Sequence, residues 1–165
     1  MQHVQTRSTT SALVLTAVLI ALATLFTMYT KIPVPGIRGY FNVGDVVIMT
    51  SALLLGRKYG AYIGAIGPAL ADLFLGYAVF VPITFVVKGI EGYLVGTVYN
   101  NKTTTSALAA TIVGGIVIVA GYFIAEYFVF DPGVAIASIL TNAIQAVMSV
   151  IVSIILYAIL RKRLG

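Results

Sequence analysis

The sequence predicts an all-α integral membrane protein, in which six transmembrane helices form one bundle and residues 1–165 form a single transmembrane domain. Of the 165 residues, 60% are hydrophobic and only 9% are charged, whereas soluble domains contain about 25% charged residues. The apolar residues occur in runs, several of them close to the roughly 20 residues that a helix needs to cross a bilayer. This composition excludes an ordinary soluble domain, a disordered chain and a nucleic-acid-binding protein.

Each predicted helix follows from its own start and stop signals. The first run, from about Ser11 to Tyr29, follows serine and threonine residues of the kind found at helix starts. It ends at the segment from Lys31 to Gly39, because the two prolines and two glycines there cannot continue a helix. Pro82 is expected to end the third helix. The later helices are predicted from about Val43 to Leu55, Gly60 to Phe80, Ile83 to Tyr99, Ser106 to Phe130 and Ala135 to Leu160.

The basic residues predict that both termini are cytoplasmic, because the cytoplasmic loops of membrane proteins are enriched in lysine and arginine. With the N-terminus inside, only Lys31 and Arg38 fall in outer loops, and Lys88 lies a few residues into the fourth helix. The cations on the cytoplasmic side are then Arg7, Arg57, Lys58, Lys102, Arg161, Lys162 and Arg163. The net charge of +5 is therefore interpreted as a topology signal of a multi-pass plasma-membrane protein.

Polar and ionisable side chains fall in the outer half of the predicted bundle. Within a membrane each of them must be paired, hydrated or part of a functional site. Lys88 and Glu91 share one face of the fourth helix, and Asn142 and Gln145 repeat that spacing on the sixth. Further polar or aromatic groups at this level are Tyr40, Phe41, Asn42, Asp45, Tyr122 and Glu126. We therefore expect an outward-facing cavity for a small polar ligand with a flat ring, bound through hydrogen bonds and aromatic stacking.

Simpler structural roles are open for several of these groups. Lys88 and Glu91 can neutralise each other, and the two amides can join neighbouring helices. Glu126 can lie in the headgroup region, and the tyrosines can form an interfacial belt. Asp72, about twelve residues into the third helix and so at a deeper level, is expected to have a structural role.

The sequence lacks the common catalytic signatures, and we expect neither an enzyme nor a cofactor or metal site. It contains no Gly-x-x-x-x-Gly-Lys-Ser/Thr run and no cysteine, and its one histidine is His3 in the N-terminal tail. ATP hydrolysis by a P-loop, thiol chemistry, a histidine metal site and a Ser-His-Asp triad are therefore excluded. The functions that remain are ligand binding and transport.

Small residues recur every four positions on three of the predicted helices, as they do where membrane helices pack closely. They are Ala17 and Ala21 in the first helix, Ala61, Ala65 and Ala69 in the third, and Gly92 and Gly96 in the fourth. Most such stripes serve packing within a bundle, whereas the one on the first helix can instead dock another membrane protein.

Five motifs stand in order along the whole chain. They are Asn42-Val43-Gly44-Asp45, Leu55-Gly56-Arg57-Lys58-Tyr59-Gly60, Ala71-Asp72-Leu73-x-x-Gly76-Tyr77, Lys88-Gly89-x-x-Gly92 and Asn142-x-x-Gln145. With these motifs the chain resembles the substrate-binding S components of energy-coupling factor (ECF) vitamin transporters, most of all the subgroup proposed for hydroxymethylpyrimidine and pyridoxine. The resemblance implies high-affinity binding of one vitamin near the outer face. It also implies association with a membrane coupling subunit and two cytoplasmic ATPases.

The resemblance further implies roles for particular residues. Ala17 and Ala21 would contact the coupling subunit, and the whole S component would topple in the membrane to carry its ligand inwards. The segment from Tyr40 to Asp45 and the outer ends of the fourth to sixth helices would enclose the ligand. Together with the residue pattern, this predicts a substrate site formed by Tyr40, Phe41, Asn42, Asp45, Lys88, Glu91, Tyr122, Asn142 and Gln145.

Two other functions are compatible with the residues alone. One is a self-sufficient transporter driven by an ion gradient through Asp72 or Glu91. The other is a structural or assembly subunit that binds no ligand. The order of the five motifs favours the S component.

Overall fold

The computed structural model describes residues 9–36, 38–99 and 103–164, which form six α-helices and one short antiparallel strand pair. Arg7, Lys102 and His3 lie outside these residues. The helices are α1 (Thr9–Tyr29), α2 (Gly44–Leu55), α3 (Arg57–Phe74), α4 (Phe80–Val98), α5 (Thr104–Val129) and α6 (Pro132–Leu164). The strands β1 (Ile32–Pro33) and β2 (Tyr40–Phe41) form a hairpin between α1 and α2.

The short helix α2 is the centre of the bundle, since it contacts each of the other five helices. Ten of its twelve residues are buried, which explains why it is apolar on almost every side. Around it, α1 packs on α3, α3 on α4, α4 on α5 and α5 on α6. Met49, Ala52 and Leu53 of α2 pack in the main apolar cluster together with residues of α4, α5 and α6.

Four of the described helices are long and apolar enough to cross a membrane: the helical segments Thr10–Tyr29, Phe80–Val98, Thr104–Val129 and Pro132–Arg163. The 12-residue α2 is too short to meet that length. Six helices are therefore present as predicted, while length and apolar character together identify four of them as candidate spans.

The predicted boundary between the third and fourth helices is wrong by several residues. The third helix ends at Phe74 rather than Phe80, because the chain turns at Gly76, whose φ is +81°. Pro82 does not end a helix but lies in the first turn of α4, where a missing backbone N–H leaves no intrahelical bond unmade. Asp72 therefore lies near the end of its helix and not in the middle of a span.

Helices α3 and α4 pack so closely that glycine is required at their contact. A methyl group on Gly60 would lie 2.6 Å from the carbonyl oxygen of Gly92, far inside van der Waals distance. Gly64 similarly lies against the backbone carbonyl of Lys88. This contact holds the ionisable side chains of α4 at a defined height in the bundle.

The two ends of the bundle differ in character. One end, called the hairpin end below, carries the hairpin, the turn at Gly76 and the start of α6 at Pro132. The opposite end carries Arg57, Lys58 and the Arg161-Lys162-Arg163 sequence in the last turn of α6. All of the groups discussed next lie towards the hairpin end.

Candidate substrate-binding site

A polar cavity of about 30 Å³ lies beneath the hairpin and is lined by five helices and the hairpin segment. The lining residues are Thr27, Gly39, Tyr40, Asn42, Pro68, Asp72, Phe80, Thr84, Lys88, Tyr122, Glu126, Ser138, Asn142 and Gln145. Helices α1, α3, α4, α5 and α6 thus each supply at least one side chain. The cavity is far smaller than the roughly 150 Å³ of an apolar cavity that holds a benzene ring.

A buried ion pair forms the floor of the cavity. The Lys88 ammonium on α4 donates a short hydrogen bond to Asp45 Oδ1 on α2, and its Nζ lies 3.6 Å from Glu91 Oε2. All three side chains are almost completely buried. Such a pair requires good geometry, because the attraction between the two charges must offset the cost of removing both from water. Removing either partner would leave an uncompensated charge in a low-dielectric interior. The ammonium therefore already has a carboxylate partner below the cavity.

Gln145 connects this ion pair to the hairpin segment. Its amide nitrogen donates to Asp45 Oδ2 at 2.7 Å, and its amide oxygen accepts the backbone N–H of Asn42 at 2.9 Å. The Asn42 side chain in turn accepts the Gly44 N–H at 2.9 Å, which fixes the start of α2. One side chain of α6 thus holds both the central helix and the segment that covers the cavity.

The walls of the cavity combine aromatic rings with hydrogen-bonded oxygens. The hydroxyl of Tyr40 donates to Asp72 Oδ1 at 2.6 Å, which ties the hairpin to the end of α3. Burial and the neighbouring Asp72 carboxylate raise the pKa of Tyr40, so its hydroxyl remains a donor throughout the neutral range. Across the cavity, the hydroxyls of Thr84 and Tyr122 lie 3.0 Å apart.

Glu126 supplies a further acid at the hairpin end of α5. It is buried, and its Oε2 accepts a short hydrogen bond from the hydroxyl of Ser138 on α6. It therefore lies on the cavity wall. Thr27 on α1 also lines the cavity, and its buried hydroxyl has no hydrogen-bond partner among the described residues.

A chain of aromatic rings lies at the hairpin side of the cavity, and Tyr40 and Phe80 in this chain line it. Tyr40 packs edge-on against Tyr77 with centroids 4.9 Å apart, and Phe80 links Tyr77 to Phe130. Lys31 lies 4.6 Å from the centre of the Tyr77 ring, and Arg38 lies 5.1 Å from that of Phe130. These cations contact the rings and do not line the cavity.

The structure places six of the nine predicted substrate-site residues on the cavity wall. These are Tyr40, Asn42, Lys88, Tyr122, Asn142 and Gln145. Asp45 and Glu91 lie below them in the ion cluster, and Phe41 pairs with Ile32 in the hairpin. Asp72, expected to lie at another depth, is part of the wall.

Sequence reasoning missed several lining residues, among them Thr84 and Ser138. A signal for both was present. Thr84 lies one turn before Lys88 on α4, and Ser138 lies one turn before Asn142 on α6. Extending each polar stripe by one turn towards the hairpin end would have identified them. Thr27 offered no comparable signal, since α1 has other buried threonines that bond only to backbone.

Comparison with known proteins decides the family. A family model described as "ECF-type riboflavin transporter, S component" matches residues 7–162, nearly the whole chain. The chain belongs to this family of ECF transporter S components. The predicted resemblance is thereby confirmed, and the family is one of transporter subunits rather than enzymes. This S component is accordingly a membrane protein.

Individual relatives agree with that assignment. The S component is 41% identical over 145 residues to an uncharacterized protein in a gap 3′ region of Pyrococcus woesei, covering 86% of this chain and 96% of that protein. It is 30% identical over 149 residues to the thiamine precursor transporter HmpT of Lactococcus lactis subsp. cremoris (strain MG1363), covering 89% and 83% of the two chains. A solved S component of a bacterial ECF transporter shares the fold with a TM-score of 0.77 at 22% identity, covering 94% and 98%.

Proposed function

We propose that this S component binds a small one-ring vitamin or vitamin precursor, such as hydroxymethylpyrimidine or pyridoxine, in the cavity beneath the hairpin. The observation that carries the proposal is the cavity itself, which combines aromatic walls with buried hydrogen-bonding groups from five helices. That combination suits a flat ring with polar substituents. The 30% identity to a thiamine precursor transporter supports the same ligand class.

Entry of a ring requires the cavity to expand, because about 30 Å³ holds no more than water-sized groups. The hairpin is the element best suited to move, since it is held by the Tyr40 hydroxyl bond to Asp72, the Asn42 N–H bond to Gln145 and the ring contact of Tyr40 with Tyr77. The helices behind it pack through backbone and apolar contacts. In this proposal the hairpin opens, the ring enters, and the hairpin closes over it.

Energy for release would come from an ECF module composed of a membrane coupling subunit and two cytoplasmic ATPases in the plasma membrane. Ala17 and Ala21 on α1 are proposed to contact the coupling subunit. Both lie on the exposed side of α1, whereas Ala23 on the opposite side is completely buried against the bundle. An exposed stripe of small residues allows close approach of another helix.

The first experiment is mass spectrometry of small molecules released by denaturing the detergent-purified protein, expressed without ATPase subunits. A one-ring vitamin or precursor in a 1:1 ratio is the expected result. A preparation without such a molecule that also fails to bind hydroxymethylpyrimidine and pyridoxine in titration calorimetry would contradict the proposal.

A second candidate is a self-sufficient transporter driven by an ion gradient. The observation that favours it is the set of buried ionisable groups within the bundle, Asp72, Lys88 and Glu91. It predicts ligand uptake into vesicles that contain this chain alone, abolished by an uncoupler and by Asp72→Asn. The S component proposal predicts no uptake without an ECF module.

A further inference from the structure

We infer that the cavity selects neutral or cationic rings that carry hydrogen-bond donors, and rejects rings that carry a carboxylate or phosphate. This inference rests on the proposed function, because it concerns the ligand class of the same cavity. It depends on which charges face the cavity and on which of the hydrogen-bonding groups are already used.

Within the part of the chain that the structure describes, no free positive charge lines the cavity. Among its lining residues Lys88 is the one cation. The Lys88 ammonium forms an ion pair with Asp45 and lies 3.6 Å from Glu91 in the floor of the cavity. Lys31 and Arg38 contact aromatic rings on the outer side and do not line it. An anionic ligand would therefore have to break a buried ion pair to obtain a counter-ion.

The acids on the cavity wall retain acceptor capacity. Asp72 on α3 accepts the Tyr40 hydroxyl and interacts with that of Thr84, and Glu126 on α5 accepts the hydroxyl of Ser138. A carboxylate has about four acceptor positions, so both acids can accept further donors from a ligand. Ring amino and hydroxymethyl groups supply such donors, and a ligand carboxylate would meet repulsion instead.

Two features of the cavity favour a polar ligand. The Thr27 hydroxyl lines it, is about 1% exposed and has no hydrogen-bond partner among the described residues. Several protein donors at the wall are already committed, since Tyr40 bonds to Asp72, Ser138 to Glu126 and Gln145 to Asp45. The remaining polar groups of the lining, including the Thr27 hydroxyl and the Asn142 amide, are uncharged, so the two acids set the charge that a ligand can carry.

The test is titration calorimetry of the purified protein with matched pairs of rings. One pair is hydroxymethylpyrimidine and the analogue in which a carboxylate replaces the hydroxymethyl group; the other is pyridoxine and its 4-carboxylate analogue. We expect the carboxylate member of a pair to bind at least about a hundredfold more weakly, as for like charges brought together. Glu126→Gln should reduce that ratio about tenfold or more, because it removes one of the two negative groups.

Asp131→Asn is the matched control, since Asp131 is an exposed acid whose hydrogen bond to the Val134 N–H an asparagine can keep. It should leave the ratio unchanged. Equal or tighter binding of the carboxylates, with the neutral rings still bound, overturns this inference and leaves the proposed function standing. A ratio that neither Glu126→Gln nor Asp72→Asn alters overturns the assignment to these acids. If no ring of either pair binds, both the proposed ligand class and this inference are wrong.

Discussion

At the scale of single residues, the cavity depends on side chains that make two contacts at once. Lys88 faces the cavity while its ammonium binds Asp45. Gln145 lines the cavity and connects Asp45 to the hairpin segment. Because each such side chain serves both folding and binding, its replacement should change both. The sequence pattern placed these residues on common faces, but the pairing of Lys88 with Asp45 across 43 positions could not be predicted from helical spacing.

The amides of α6 provide the first residue-scale prediction. Asn142→Ala should weaken ligand binding by several-fold to about tenfold, the value of a lost hydrogen bond of about 0.5–1.5 kcal/mol. Gln145→Ala should weaken binding at least as much, because it also removes the bonds to Asp45 and to the Asn42 N–H. Titration calorimetry measures the change. Ser149→Ala is the control, because Ser149 lies one turn further along the same face, is buried, and does not line the cavity. Unchanged affinity in both amide variants would contradict a role for α6 in the site.

The buried ion pair of Lys88 and Asp45 provides the second residue-scale prediction. Lys88→Met should lower the free energy of unfolding by about 3–5 kcal/mol, because it leaves Asp45 buried without its cation. The double variant Asp45→Asn with Lys88→Met should recover much of that loss. Thermal unfolding in detergent measures both, with Lys58→Met at the exposed basic end as the control. A double variant less stable than Lys88→Met would show that the pair is not the stabilising unit.

At the scale of elements, the molecule is a rigid bundle with one weakly held cover. Helices α3 and α4 are joined by glycine contacts without room for a methyl group, and α2 is buried among all the others. The hairpin has only two residues per strand and is held by the Tyr40 and Asn42 hydrogen bonds and by the ring contact of Tyr40 with Tyr77. The difference in packing predicts that opening of the site begins at the hairpin.

Tyr40→Phe tests this cover. Loss of the hydrogen bond to Asp72, worth about 1.5–3 kcal/mol for a charged acceptor, should speed ligand release by about tenfold or more. It should also speed association, because the same hydrogen bond keeps the hairpin closed before the ligand enters. Stopped-flow displacement measures both rates. Tyr29→Phe serves as control because that ring is 85% exposed. An unchanged release rate would mean that the hairpin does not limit ligand exit.

The α3–α4 contact gives a second prediction at this scale. Gly92→Ala should destabilise the protein by about 1–3 kcal/mol, because the new methyl group would meet the backbone of Gly60. Ile90→Ala on the exposed face of the same helix should cost much less. Thermal unfolding of the two variants in one detergent distinguishes them. Equal losses would show that the close contact is not maintained.

At the scale of the whole molecule, the surface of α1 is available to a partner within the membrane. This helix contacts only α2 and α3 among the helices, and Ala17 and Ala21 lie on its exposed side. Ligand site and proposed docking surface are therefore separate, since α1 contributes only Thr27 to the cavity.

That separation predicts different effects of one variant on binding and transport. Ala21→Leu should leave ligand affinity within about twofold while abolishing uptake and co-purification with the ECF module, because a larger side chain prevents close helix contact. Ala109→Leu, on the exposed face of α5, should alter neither. Loss of ligand binding with an intact complex would place the docking surface elsewhere.

The sequence by itself determined the class of the molecule, the number of helices, the polar stripes on α4 and α6 and the family. The first three features follow from composition and local spacing, and the family follows from the resemblance carried by five motifs in order along the chain. Only the tertiary structure decided that α2 is central, that Asp72 and Glu126 reach the cavity, and that Lys88 bonds to Asp45. The predicted third helix continued to Phe80, whereas the chain turns at Gly76 and Pro82 lies inside α4. Asp72 therefore lies near the end of its helix. Such contacts join residues far apart in the chain, and their energy depends on burial and distance, which spacing along one helix does not specify.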